Sequence, residues 1–364
     1  MKNLTLFALP AALAIGACAP TEIPLATRIA NALPASDVAA SAETEPVGTA
    51  NADAADDPAV WHNAANPAAS LIIGTDKKAG LYVYAMDGRV KASSLTGRYN
   101  NVALHTGAHG IVVIASDRSD PLNSKLALFL LDPQSGALSP LASVPSGPGE
   151  AYGVCVAPAP RITVVGAADA VVGAADTMTV YAAIKDGSVR QIQISHKHGK
   201  VEHSIGASWK LATQIEGCVV DPASGSLFIG EEDVGIWKID VARPDQPPVL
   251  FAAADSKALV ADVEGLAIAS DRSGTSYLIA SSQGDNAYAV FDLASARLVG
   301  RFRINGGPID GTSETDGIEM AVGNFGPGFE QGLFVAQDGD NGGGTQNFKL
   351  VSWASIKAAL GVRF

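Results

Sequence analysis

One strand pattern, written six times, constrains this chain more than any other feature. An apolar strand ending in a polar cluster, followed by a turn and a second alternating strand, starts at Ser70 (SLIIGTDKKAGLYVYAMDG), Ile111, Met178, Ser226 (SLFIGEEDVGIWKID), Ser276 and Gly332. A shorter partner segment precedes each copy: DDPAVW from Asp56, NNVAL from Asn100, AYGVCV from Ala151, IEGCVV from Ile215, VEGLAI from Val263 and DGIEMA from Asp316. The runs are β-branched and aromatic, are separated by Gly, Asp, Asn and Pro turns, and show almost no helical period. Several strands per copy, at intervals of roughly 40 to 65 residues, predict an all-β fold, a six-bladed β-propeller. A closed ring of sheets needs no covering helices and leaves no long edge exposed. Only residues 352–361 read as helix.

The ring accounts for residues 51–364. Ahead of it, residues 1–17 read as a signal peptide: Lys2, then an apolar run from Leu6 to Ala17 that is too short to span a bilayer. Ile15-Gly16-Ala17-Cys18 resembles the lipobox of bacterial lipoproteins, which makes Cys18 the candidate lipidated residue, with ordinary cleavage after an Ala-x-Ala-like site as the alternative. Residues 18–50 are rich in Ala, Pro, Thr, Ser and Glu without apolar periodicity and read as a flexible tether, so order should begin near Asn51. The expected location is outside the cytoplasm: periplasmic or lipid-anchored at the outer membrane, or secreted.

Charge narrows the partners. With 37 acidic against 25 basic residues, the chain should repel nucleic acid and anionic lipid, so an anionic partner needs bridging cations. Membrane contact is expected only through a lipid on Cys18, and the protein is expected to be a monomer. Cys155 and Cys218 lie in apolar strand-like runs and read as buried free thiols, since an exported protein that relied on disulfides would carry more cysteines. Cys155 and Arg161 match the Cys-x5-Arg spacing of cysteine phosphatases, but Pro158 and Pro160 remove backbone N–H groups that such a loop needs. His196, His198 and His203 read as an exposed hairpin.

In a propeller the blades deliver equivalent residues to one face around the axis. Polar residues follow every apolar run: Lys77 and Lys78, Arg118, Lys185 and Asp186, Glu231 and Glu232, Gln283, and Asp338. The partner segments add Asp56, Asp57, Asn100, Tyr152, Glu216, Asp262, Glu264, Asp310 and Asp316. Blades one to three thus bring cations and blades four to six carboxylates. Carboxylates crowded this way, as in GPIDGTSETDGIEM from Gly307, raise one another's pKa unless a cation neutralises them. Oxygen ligands without a dense His or Cys set favour several Ca²⁺ ions over Zn²⁺. The Lys and Arg wall beside them suits a polyanion, with Arg118 able to grip phosphate through its fork. Phosphoester hydrolysis by a metal-activated water needs the same parts and no protein nucleophile. A Ca²⁺-dependent lactonase or esterase on the same scaffold, and a non-catalytic propeller lipoprotein, are the alternatives.

The motifs DDPAVW, TDKKAGLYVY, NNV, SDRS, EAYG, EEDVGIWK, DVEGL, SSQG, DGTSETDGI, GLFVAQDG and QNFK stand in an order and spacing that resembles the β-propeller phytases, from Asp56 to about Trp353. The resemblance implies a Ca²⁺-dependent 3-phytase acting on myo-inositol hexakisphosphate. It implies that Lys77, Lys78, Arg118, Tyr152 and Lys185 hold substrate phosphates at two adjacent sites. Asp56, Glu216, Glu231, Asp262, Glu264, Gln283 and Asp310 would be ligands of the catalytic Ca²⁺ cluster, and Asp316 would lie near the cleavage point. Glu216, Glu231, Asp316, Lys77 and Arg118 form the expected catalytic set. Structural Ca²⁺ is implied at Asp57 with the carbonyls of Pro58 and Val102, and at Asp310 with Gly311, Asp340 and Asn341. Asp186, Glu314 and Asp340 exchange Asp for Glu, or the reverse, relative to the family pattern. Ala103 stands where an acid is expected, and residues 162–175 have no family counterpart.

Overall fold

The alternation that marks the strands in the sequence also sorts their side chains between neighbouring blades, and this builds the ring. The computed structural model describes residues 23–50, 53–158, 176–197, 199–270 and 274–362. The signal peptide, Cys18, His198 and residues 162–175 lie outside the described residues.

Before the first blade run a helix α1 (Leu25–Asn31) and two short strands, β1 (Ser36–Val38) and β2 (Ala42–Glu43). Blade one is β3 (Ala55–Trp61), β4 (Leu71–Asp76), β5 (Gly80–Ala85) and β6 (Val90–Ser94); blade two is β7 (Tyr99–Gly107), β8 (Gly110–Asp117), β9 (Asn123–Leu131) and β10 (Leu138–Pro148). Blade three is β11 (Ala151–Val156), β12 (Asp176–Ile184), β13 (Ser188–Lys197) and β14 (Lys200–Lys210); blade four is β15 (Ile215–Val220), β16 (Leu227–Glu231), β17 (Gly235–Ile239) and β18 (Val249–Ala253). Blade five is β19 (Val263–Ser270), β20 (Ser276–Ser282), β21 (Ala287–Asp292) and β22 (Arg297–Ile304), and blade six contains β23 (Ile318–Ala321), β24 (Leu333–Asp338) and β25 (Asn347–Ser352). The first strands β3, β7, β11, β15, β19 and β23 stand side by side and β23 returns to β3, so the predicted six-bladed ring is closed.

Six apolar layers fill the gaps between blades. On β4, Ile73 packs with Val113 and Phe129 of blade two, while its neighbour Ile72 points the other way, to Val335 and Phe348 of blade six. The same division repeats on β16, where Ile229 meets Tyr181 of blade three and Phe228 meets Leu278 and Phe291 of blade five. Each fully buried side chain of this kind contributes about 1.5–3 kcal/mol. A continuous apolar run is therefore the signature of a strand sandwiched between two blades. The expected C-terminal helix is α2 (Trp353–Leu360), which buries Trp353 and Ile356 in the layer between blades five and six.

Three expectations are corrected here. Residues 18–50 are not a tether as far as they are described: β1 pairs in parallel with β22, and β2 pairs with β25 as the outer strand of blade six. Blade six has only three strands of its own, and its open edge is completed by the N-terminal segment. Polar composition hid this, because Thr44 satisfies edge backbone groups: its N–H donates to the Phe348 carbonyl at 2.9 Å and its hydroxyl accepts from Phe348 N at 3.0 Å. Cys155 and Cys218 are not free thiols but a disulfide. They sit on β11 and β15, adjacent first strands with Cα atoms 5.7 Å apart, a proximity that 63 residues of sequence separation conceal. His196 also departs from the exposed-hairpin reading: it is buried, with its ring 5.9 Å from that of His109, whereas His203 is exposed.

Candidate active site

The site is made by one irregularity repeated around the ring. On the first strand of blades one to five, two residues oppose one on the second strand, with register shifts between Ala55 and Pro58, Tyr99 and Val102, Ala151 and Val154, Ile215 and Cys218, and Val263 and Leu266. Such bulges re-aim a side chain. The first bulge residues are Asp56, Asn100, Tyr152, Glu216 and Glu264, and Asp316 enters the same ring just before β23. The second bulge residue of blades three to five is glycine, because the next blade's backbone packs there. A Cβ on Gly153 would lie 1.9 Å from the Glu216 carbonyl oxygen, and one on Gly217 would lie 2.1 Å from that of Glu264.

A second ring lies above, at the ends of the second strands. Lys77, Arg118, Lys185, Glu232 and Gln283 each donate their backbone N–H to the residue two before the first bulge residue of their own blade: Ala54, Arg98, Glu150, Gln214 and Asp262. Five blades thus present one side chain each at an equivalent place. Three are cations, and the next two are an acid and an amide.

The cationic half is tightly organised. Lys77 Nζ lies 2.8 Å from Asp56 Oδ2 and 2.9 Å from Asp316 Oδ2, and also pairs with Asp53. Asp56, Asp316 and Glu216 hold its ammonium charged, well above the ordinary lysine range, against the opposing effect of burial. Arg118 donates through Nη1 to Asn100 Oδ1 at 2.5 Å and through Nη2 to Glu150 Oε1 at 2.6 Å. Its guanidinium carbon sits 5.1 Å from the Tyr152 ring centroid, and Lys185 Nζ lies 4.8 Å from the same ring. Tyr152 is therefore a platform that holds two cations by cation–π attraction.

On the other side, Glu216, Glu232 and Glu264 each offer a carboxylate oxygen, and these oxygens all lie within 4.8 Å of one another. Burial, and then neighbouring carboxylates, push Glu216 and Glu264 well above the usual carboxylate range. Burial raises Glu232 to about 7, and burial with Asp56 raises Asp316 to about 7. Gln283 Nε2 donates to Asp316 Oδ1 at 2.7 Å, and Asn100 Nδ2 donates to Glu216 Oε1 at 2.6 Å, linking the two halves.

A family model described as Phytase matches residues 4–363. The 3-phytase of Bacillus subtilis (strain 168) is 38% identical over 345 residues, covering 89% of this chain and 85% of that one. The chain belongs to the phytase family. It is a phosphoric monoester hydrolase of the β-propeller type. Solved structures similar to this phytase include BBS1N in complex with ARL6DN, with a TM-score of 0.44 and 13% identity over 78% of this chain and 76% of that one. The WD40 domain of SCAP from fission yeast gives 0.41 and 13% over 81% and 69%. Likeness of that size carries neither function nor mechanism.

The residues of this phytase fit a cation at the acidic half. Glu264 Oε2 is buried without a hydrogen-bond partner, and three raised carboxyls share one small volume, an arrangement that a multivalent oxygen-seeking cation relieves. Of the ligand set implied by resemblance, the structure gathers Asp56, Glu216 and Glu264 at the first ring and Gln283 at the second, with Asp262 at the rim. Glu231 does not join them. Its Oε1 accepts from Thr213 N at 2.6 Å and Thr213 Oγ1 at 2.7 Å, and its Oε2 accepts from Trp237 Nε1 at 2.7 Å, all within blade four. The acid that faces the group is Glu232. Register would have found it, since Glu232 follows the β16 run as Lys77 follows β4 and Arg118 follows β8.

The two structural positions differ from each other. Asp57 points down the axis, where it lines a cavity of about 280 Å³ with Pro58, Val102 and Glu319; its Oδ2 accepts from Val102 N at 2.9 Å, and burial pushes it well above the usual carboxylate range. Glu319, missed in the sequence, is raised to about 7 by burial in the same cavity. At the other position Lys349 Nζ, fully buried, fills the centre: it pairs with Asp310, lies 2.6 Å from Glu43 Oε2 and 3.2 Å from Asp338 Oδ2, and donates to Asn341 Oδ1 at 3.2 Å. Gly311 adjoins Asp310 in sequence, while Asp340 is exposed and only its N–H reaches the group, through Asp338 Oδ1 at 3.3 Å. An ammonium thus stands where the resemblance places a structural cation. Of the remaining predicted residues, Lys78 pairs with exposed Asp53 at 3.2 Å, and Asp186 turns away to Lys210 at 3.0 Å.

Proposed function

We propose that this phytase releases phosphate from myo-inositol hexakisphosphate in a Ca²⁺-dependent reaction. The observation that carries this reading is the division of one ring into a wall of Lys77, Arg118 and Lys185 and a facing group of Glu216, Glu232 and Glu264. A substrate with neighbouring phosphates meets fixed positive charge on one side and, on the other, carboxylates that only cations can make compatible with it. Arg118 is held from behind by Glu150 and Asn100 and from the side by Tyr152, so its fork is oriented before a phosphate arrives. Lys77 bridges Asp56 and Asp316 and places an ammonium at the junction of both halves, next to the acid expected near the cleavage point. Glu216, Glu232, Glu264, Asp56 and Gln283 are the residues that would hold Ca²⁺. When bound, it would neutralise phosphoryl oxygens and lower the pKa of an attacking water.

The test is phosphate release by the purified domain from hexakisphosphate with Ca²⁺ and with chelator. Release only with Ca²⁺ is expected; release that persists in chelator sinks the metal assignment. We further propose that the protein is exported and anchored through Cys18. The Cys155–Cys218 disulfide supports an oxidising compartment, and Cys18→Ala should abolish incorporation of labelled palmitate.

A further inference from the structure

The N-terminal segment does more than finish a sheet. A cavity of about 550 Å³ adjoins Asp316 and Gln283, and its outer wall is α1, through Leu25, Arg28 and Ile29. Four carboxylates line this cavity, those of Asp53, Asp262, Glu314 and Asp316, and among its described lining residues Arg28 is the one cation. The guanidinium is half-buried. Nη1 reaches the Ala261 carbonyl at 3.5 Å, the outer limit of a hydrogen bond, and Nε is buried without a partner.

The helix does not rest there by chance. Just after it, the Leu33 N–H donates to the Lys257 carbonyl at 3.0 Å, and the Leu33 carbonyl accepts from Arg301 Nη1 at 2.6 Å. Arg301 is fully buried and paired with Asp285 at 2.6 Å, in the turn after Gln283 that α1 packs against. A few residues on, β1 adds to blade five. The position of Arg28 is thus tied to the same turn that carries the Gln283 side chain.

We infer that α1 is a wall of the substrate cleft and that Arg28 is a specificity-determining cation for polyphosphorylated substrates, binding a phosphate remote from the one being cleaved. The inference rests on the phytase reading above. Lys77, Arg118 and Lys185 serve the half of the mouth formed by blades one to three, and a substrate phosphorylated all round its ring also presents charge to the opposite half. The described side chains that line the cavity there are otherwise anionic or neutral, and Lys77 and Lys78 reach it only as partners of Asp53 and Asp316. Arg28 supplies a planar, permanently charged donor with unused N–H capacity.

The experiment measures binding of myo-inositol hexakissulfate, which cannot be hydrolysed, by calorimetry with Ca²⁺ present, alongside steady-state turnover of hexakisphosphate. For Arg28→Ala, the Kd for the hexakissulfate and the KM for hexakisphosphate are expected to rise about tenfold, the loss of one charge-assisted contact, with kcat and Tm little changed. Arg28→Lys should recover part of the affinity. An unchanged Kd overturns the inference. So does a loss carried by kcat and Tm that Arg28→Lys does not recover, since that marks a residue acting only by holding α1 to the Ala261 loop. A wild-type protein that binds the hexakissulfate but does not turn over hexakisphosphate overturns the substrate reading instead, and the binding arm still decides the role of Arg28.

Discussion

Lys77 of blade one donates to Asp316 at the start of blade six, Nζ to Oδ2 at 2.9 Å, across the seam where the ring closes. The same ammonium holds Asp56, so one positive charge stands among carboxylates from both blades. Removing it takes a phosphate-binding charge from the mouth and leaves Asp56 and Asp316 to repel each other. Lys77→Met is expected to lower kcat/KM for hexakisphosphate by on the order of 100-fold. Steady-state phosphate release checks this, and a loss below about threefold would remove Lys77 from the catalytic set.

Adjacent acids in blade four should behave oppositely. Glu232→Gln is expected to raise the Ca²⁺ concentration needed for half-maximal activity while leaving the melting temperature in chelator close to wild type. Glu231→Gln breaks a buried group of hydrogen bonds to Thr213 and Trp237 and should cost about 1–3 kcal/mol of stability. Activity titrations with Ca²⁺ and melting curves separate the two, and the reverse pattern would reinstate Glu231 as the metal ligand.

That pair also shows how far the sequence could be read. The ring was legible because each sandwiched strand leaves a run such as LIIG or LFIG, and turns punctuate the runs at regular intervals. The first ring of side chains was legible because every partner segment carries a polar residue at its first or second position. Choosing Glu232 over Glu231 required knowing that Glu231 is still paired in β16, with Ile215 opposite, and so turns into its own blade. The N-terminal strands were not legible, since β2 is two residues long and its partner β25 is at the far end of the chain. Lys349 was hidden for a related reason: in NFKLVS it alternates like a solvent-facing lysine, and only closure by β2 covers it.

Lys349 is encircled by Glu43, Asp310 and Asp338 and has no exposed side-chain surface. Lys349→Met leaves these acids without their counter-charge and should destabilise the fold by about 3–5 kcal/mol in chelator. The emptied, oxygen-lined pocket should make the variant's melting temperature rise with added Ca²⁺ more steeply than that of wild type. Thermal melts at several Ca²⁺ concentrations test this, and parallel responses of the two proteins would count against a cation-like role for the ammonium.

His105 lies buried at the end of the layer between blades two and three, and burial lowers its pKa despite the opposing charge of Asp176. The neutral form is favoured in the folded state. Its contribution to stability is therefore complete above the unfolded value near 6.5 and is lost as pH falls through the lower folded value. Urea unfolding between pH 7.5 and 5 should show declining stability in wild type and a shallower decline in His105→Leu. Identical slopes would show that His105 does not set the acid limb.

The strap that completes blade six imposes an order on how the chain can mature. Glu43 and Lys349 are 306 residues apart, and bringing such distant points together costs about 5 kcal/mol of chain entropy beyond a constant. The segment around Glu43 must wait for one made 306 residues later. Until β25 exists, β2 has no partner and the final sheet keeps an open edge, a surface on which other chains can add strands. Ends trimmed from either terminus should consequently produce the same defect, and a circular permutant that joins the strap directly to β25 should spare the newborn protein that interval of exposure.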